Sequence, residues 1–318
     1  SETENRIRQK EQSLNQKEGN LEKQLKENNQ IKENLNRQIE VVNIKRTELE
    51  KHQEEHIRRL SANGILWTSL DLAGIAARGE EIPEEVTTVV LTRMREQISS
   101  GAIAVLDRYL KRGGSLFIMA DADFTDAPFL SENDPFNDYL WQNYGIRMLD
   151  AVAIDAISNA GTELDLLSYA TSDGSSITAR LNDETNADSR TLFRIARAIE
   201  IDPSPPVNNG MVIATSEASY GETDFEDLLR SNDYEYVITE DVAGPLNVAA
   251  WANDERTGAR ILLVGDVDWS TNGLVSSPVG NSILFTDGIA WLTGFGEQIS
   301  FAPQGRVSNL PTIFLSTQ

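Results

Sequence analysis

The sequence predicts an α/β fold, a mostly parallel sheet with helices on both faces, preceded by one long N-terminal coiled-coil helix. Three observations carry this reading. Beyond residue 60, short apolar runs alternate with helix-period stretches, the pattern of strands joined by helical crossovers. Before residue 60, apolar residues recur at every seventh position instead. Composition also breaks where the two patterns meet. Seven of the eight lysines and both histidines lie in residues 1–60, which carry a net charge of +1, whereas the remainder carries −23. The expected division is therefore a coiled-coil helix over 1–60, an α/β domain over 61–301 and an extended tail over 302–318.

The N-terminal seam runs through Ile7, Leu14, Leu21, Asn28, Leu35, Val42 and Leu49, with a patchier second row at Leu25, Ile39 and Leu60. Asn28 stands where a register-setting polar residue sits in coiled coils. Fully helical, this segment would extend roughly 85–90 Å at ~1.5 Å per residue. A helix that long and that polar needs a partner, so a homo-oligomer is expected. His52, Glu55 and His56 match the H-x-x-E-H order of some zinc proteases. These are the only two histidines, no third histidine ligand follows, and His56 continues the seven-residue series. No metal is therefore expected at His52/His56.

In the body, ILWTSLDL (65–72) and TTVVLTR (87–93) read as strands. Residues 99–114 read as a helix with Ile103, Leu106 and Leu110 on one face, stopped by Gly113-Gly114. SLFIMAD (115–121) is a buried strand, and 134–145 a helix capped by Asp134 with Pro135 in its first turn. GMVIATS (210–216) and ARILLVGD (259–266) are strands, and 280–294 is a helix with Asn281 as its cap. Residues 156–209 are irregular, and the tail has no evident strand partner.

Charge and composition exclude several functions. A net charge of −22 and a pI near 4.5 argue against a nucleic-acid surface. The absence of cysteine excludes disulfides, thiol nucleophiles and Cys-zinc sites. No apolar run reaches the ~18 residues of a membrane helix. Nucleophile elbows and glycine-rich phosphate cradles are absent, so no catalytic residues are assigned. The candidates that remain are carboxylates at strand ends: Asp121 and Asp123 (with Asp126) after SLFIMA, and Asp266 and Asp268 after ILLV. Such ends line the ligand crevice of open α/β sheets, and converging pairs would suit Mg²⁺ or Ca²⁺. Otherwise these residues cap turns, and no cofactor is required. Ser216, Ser219, Tyr220, Glu222 and Thr223 form a polar run after GMVIAT, a candidate recognition loop. Trp269 and Trp291 read as packing residues.

Two resemblances add to this. The stretch IRQKEQSLNQKEGNLEKQLKENNQIKENLNRQIEVVNIKRTELEKHQEEHIRRL resembles the coiled-coil spacer of bacterial ribonuclease Y over residues 5–60. It implies a rod and an oligomeriser, not a nuclease. LDRYLKRGGSLFIMADAD, NDYLWQNYGIRMLDAVAID, ATSEASYGETD, EDVAGPLNVAAW, LLVGDVDWSTNG and GNSILFTDGIAWLTGFGEQISFAP occur in the order of the GldG-like family. These are ABC-transporter accessory proteins, some associated with gliding motility, and the resemblance covers about 62–315. It implies a glutamine-amidotransferase-like α/β fold, an extracytoplasmic location at the cytoplasmic membrane, and ABC-transporter membrane subunits as partners. The chain departs from that family in lacking its membrane helices and in having Ser175-Ser176 where members often carry His-Pro. The simplest reading of the junction near residue 60 is a chimeric chain, soluble as given.

The expected function is a non-catalytic extracytoplasmic accessory domain acting through protein–protein or ligand contacts and carried on the coil. The alternative is a divalent-cation-dependent carbohydrate-binding or hydrolytic domain using the Asp pairs. A third reading is a structural chain whose assembly the coil dictates.

Overall fold

The computed structural model describes residues 65–94, 96–122, 128–171, 175–182, 190–224, 228, 235–271 and 279–294, with the backbone of 312–316. The chain divides into two units, Ser1–His56 and Ile57–Gln318, and every described residue belongs to the second. The heptad seam from Ile7 to Leu49 and the pair His52/His56 lie outside the described residues.

The elements are β1 (Leu66–Ser69), α1 (Leu72–Arg78), β2 (Val86–Thr92), α2 (Ser100–Lys111), β3 (Ser115–Met119), α3 (Pro135–Tyr144), β4 (Ile146–Asp155), β5 (Asp165–Tyr169), β6 (Arg190–Arg194), β7 (Arg197–Ile201), β8 (Asn208–Ala214), β9 (Ser219–Glu222), β10 (Val242–Ala243), β11 (Asn247–Asp254), β12 (Ala259–Val264), α4 (Asn281–Leu292) and β13 (Thr312–Ser316). Local chemistry accounts for the helix ends. Ser99 accepts the Ala102 N–H to open α2, and Asp134 accepts the Phe136 N–H ahead of Pro135 to open α3. Gly145, at φ +65°, then turns α3 directly into β4. Asn281 is not the cap of α4. Gly280 holds that position, and the Asn281 side chain is buried, bonded to both Leu192 backbone groups and to the Trp269 carbonyl.

The main sheet has eleven strands among the described residues, in the order β1-β13-β2-β3-β12-β11-β7-β4-β9-β10, with β8 also on β11; β5 and β6 form a separate pair. The sheet is mixed, not mostly parallel as the sequence predicts. Only β1, β13, β2, β3 and β12 run parallel, and every pairing from β11 onward is antiparallel. The reason is the length of the connections. A parallel crossover needs roughly a dozen residues or more, but β11 reaches β12 through residues 255–258 alone. There Asp254 accepts the Arg256 N–H and Gly258 takes φ +83°. The covering layers differ from the expectation too. α1, α2 and α3 pack on one face, whereas the other carries α4 together with the small β5–β6 sheet.

The parallel strands are apolar runs because both faces are covered. Along β3, Leu116 and Ile118 enter one core while Phe117 and Met119 enter the other, and Ile261/Leu263 and Leu262/Val264 of β12 alternate in the same way. Within the C-terminal segment, residues 312–316 form a strand. The backbone of β13 lies between β1 and β2 and pairs with both.

Candidate functional site

The crossovers single out one edge of the sheet. β2 reaches β3 through α2 on the first face, and β3 leads into α3 on that same face, while β12 leads into α4 on the opposite face. β3 and β12 are neighbours, and the helices that follow them lie on opposite faces, the arrangement in which open α/β sheets bind ligands at the carboxyl ends of their strands. Thr92, Met119 and Val264 stand in one row across β2, β3 and β12. The residues that follow them, Arg93, Asp121, Asp266 and Asp268, meet at this edge.

Each of these carboxyl groups has a partner within the protein. Asp121 accepts the Val267 N–H at 2.5 Å, and Asp266 accepts the Arg194 N–H at 2.7 Å on one oxygen and the Asp268 N–H at 2.6 Å on the other. Asp266 is 1% exposed. Burial pushes its carboxyl up to about 8; the two N–H donors pull the other way, while the nearby Asp121 and Asp268 carboxylates add to the rise. Asp268 is exposed and stands 3.9 Å from the Arg93 guanidinium, a distance at which a solvated pair contributes little. Arg93 itself has φ +55°. Gly265 must be glycine: a Cβ there would sit 2.1 Å from the Arg197 carbonyl oxygen. Asp123 and Asp126 lie outside the described residues. Among those described, no three acidic or histidine side chains gather into a metal-holding group.

The predicted recognition run spans the turn after β8 and all of β9, and it is tightly bonded. Ser216 donates its N–H and its hydroxyl to the buried Asp155, both at 2.8 Å, and Asp155 also accepts the Ile157 and Ser158 N–H groups. Burial opposes the charge of Asp155, but these four donors outweigh it and hold its carboxyl below the usual range. The Ser219 hydroxyl lies 2.6 Å from that of Thr215 and 2.7 Å from the Ser216 carbonyl. Tyr220 and Glu222 are buried. Burial raises the Glu222 carboxyl, against the Asp224 N–H it accepts and with the help of neighbouring Asp241. The Thr223 N–H goes to Asp241 at 3.1 Å. Ser216, Ser219, Tyr220, Glu222 and Thr223 thus build this turn and strand more than they face outward. Asp155→Ala is expected to cost about 1–3 kcal/mol, because it leaves buried donors without an acceptor. Urea unfolding measures this, and a loss under half a kcal/mol would contradict the assignment.

One residue that organises this edge, Arg197, carries no mark in the sequence. Arg197 is fully buried and donates to the carbonyls of Leu149, Phe129 and Leu130 and to Asp150. Trp269 is fully buried among Phe117, Phe193 and Phe285, with ring centroids 5.9–6.3 Å away, so it packs as expected. Trp291 packs edge-on against Trp251. No periodicity signals a buried arginine, since its partners are carbonyls that any residue supplies.

A cleft of about 520 Å³ opens at the other ends of the parallel strands, lined by Glu84, Arg112 and Arg260 among others. Both guanidinium groups are engaged: Arg112 donates to the Ile82 and Pro83 carbonyls, and Arg260 donates to the Trp291 carbonyl.

No protein-family model matches the chain, and no curated protein matches it. Among solved structures, an mmIFT52 N-terminal domain is similar at 13% identity and a TM-score of 0.46, covering 71% of this chain and 81% of that one. A ThuA-like protein from Bacteroides uniformis is similar at 10% identity and a TM-score of 0.38, covering 72% of this chain and 89% of its own. Likenesses this distant carry no argument about function.

Proposed function

We propose that residues 61–318 act as a non-catalytic contact domain of an ABC-transporter accessory protein. Its place would be outside the cytoplasmic membrane, with transporter membrane subunits as partners and the N-terminal segment serving self-association. The observation that supports the non-catalytic half is the engagement of the strand-end carboxyl groups: Asp121 accepts the Val267 N–H, and the two oxygens of Asp266 accept the N–H groups of Asp268 and of Arg194 at the end of β6. Residues 61–318 also contain no His or Cys, which removes the usual nucleophile–base pairs. The accessory role and the location rest on the six ordered motifs. Among the described residues no helix is long and apolar enough to cross a membrane.

The test is thermal unfolding of the full chain in EDTA and then with Mg²⁺, Ca²⁺, Mn²⁺ or Zn²⁺. An ion bound only by the native state stabilises it by about 2.7 kcal/mol at a hundred times its Kd. No saturable rise in melting temperature is expected. A saturable rise that disappears in the exposed-site variant Asp121→Ala/Asp268→Ala would overturn the reading in favour of a divalent-cation-dependent carbohydrate-binding or hydrolytic domain.

A further inference from the structure

We infer that the exposed turn Tyr236-Val237-Ile238 is a docking site for a basic, apolar-bearing segment of a partner protein. The three residues are 44%, 41% and 80% exposed, an uninterrupted apolar run on the surface, which a soluble fold avoids unless something uses it. The turn is held in shape. Val237 donates its N–H to Asp241 Oδ2 at 2.7 Å, and its carbonyl accepts the Glu240 and Asp241 N–H groups at 2.9 and 2.8 Å. Asp241 Oδ1 accepts the Thr223 N–H, which ties the turn to the end of β9, and the Tyr236 ring lies 5.3 Å from that of Tyr220. An apolar tip fixed in this way loses little conformational entropy on binding.

The surrounding charge selects the partner. Among the described residues of 217–241, Glu217, Asp224, Glu235 and Glu240 are exposed acids and there is no Lys or Arg. A second copy docked across a two-fold axis would bring this acidic patch against itself, which is unfavourable. An anionic bilayer repels it for the same reason. A segment rich in Lys or Arg is instead drawn in by long-range attraction and then bound through apolar contact with Ile238.

The inference rests on the contact-domain reading and names the class of partner. The experiment uses the full chain and two fluorescein-labelled peptides of equal length and charge, one built of Lys and Leu and the other of Lys and Ser, read by anisotropy at physiological salt. The Lys/Leu peptide is expected to bind about tenfold more tightly, a difference of about 1.4 kcal/mol, and Ile238→Ser is expected to abolish that preference without lowering the melting temperature. Equal binding of the two peptides, or a preference that survives Ile238→Ser, would overturn the inference. So would binding to phosphatidylserine vesicles that Ile238→Ser removes, which would make the tip a membrane contact. Failure here with a flat cation titration leaves the contact-domain reading in place, whereas a saturable cation response removes that reading whatever the peptides do.

Discussion

Replacing Arg197 by methionine is expected to destabilise the α/β domain by about 3–5 kcal/mol, the usual cost of breaking a buried charge network by removing one partner. The Arg197 side chain is 2% exposed. It donates at 2.7 Å to Asp150 and at 2.8–3.1 Å to three backbone carbonyls. Two of those carbonyls belong to Phe129 and Leu130, and Leu130 sits at φ +57°, so the guanidinium fastens a strained segment to β7 and β4. Methionine fills much of the volume but leaves the carbonyls and the Asp150 carboxylate without their donors. Lysine keeps the charge but cannot present a planar fork to four acceptors, so Arg197→Lys should recover little. In a domain of this size, each kcal/mol shifts the melting temperature by about 2–4 °C. Urea unfolding of both variants measures the cost directly. A loss below about 1 kcal/mol in Arg197→Met would show that the network is dispensable.

The second large effect is a pH dependence centred on Asp266. Burial raises its carboxyl from the ordinary value of 3.8 to about 8 in the folded chain. Between those values the native state holds a proton that the unfolded state has released. Stability from this group is therefore complete below about pH 4 and declines as pH rises toward 8. Each unit of difference corresponds to about 1.4 kcal/mol. The melting temperature of the wild type is expected to fall relative to that of Asp266→Asn as pH increases from 5 to 8, because the amide does not titrate. Asn also turns a donor toward one of the two backbone N–H groups, so the variant starts from lower stability, and the gap between the two proteins narrows with pH. A gap that stays constant over that range would mean that the donors of Arg194 and Asp268 keep Asp266 ionised throughout.

Much of the α/β body is legible residue by residue. β2, β3 and β12 are apolar runs because both of their faces are covered. The starts of α2 and α3 are marked by Ser99 and by Asp134-Pro135, whose short side chains and fixed φ act locally. The strand-end acids Asp121, Asp266 and Asp268 do meet at one edge, which follows from their position directly after neighbouring parallel strands. Their use does not follow. A D-x-D spacing reads the same whether its oxygens face a cation or, as with Asp266, the N–H groups of Arg194 and Asp268. A decisive local cue is the turn D-E-R-T-G at 254–258, too short for a crossover, which makes β11 and β12 antiparallel and the sheet mixed.

By itself, the sequence determined the abrupt change at residue 60, the absence of thiol and imidazole chemistry from the body, the Asp134-Pro135 start of α3 and the central apolar strands. Each of these depends on composition or on neighbours within a few positions. Only the tertiary structure decided the placement of β7, β4, β9 and β10 beyond β11, the insertion of β13 between β1 and β2, and the burial of Arg197 against carbonyls 48 to 68 residues away in the chain. It alone also decided that the run from Ser216 to Thr223 closes on Asp155 and Asp241 while Ile238 stands in solvent. Such outcomes depend on which distant backbone groups arrive at a given side chain, and an N–H or a carbonyl carries no mark of its residue type.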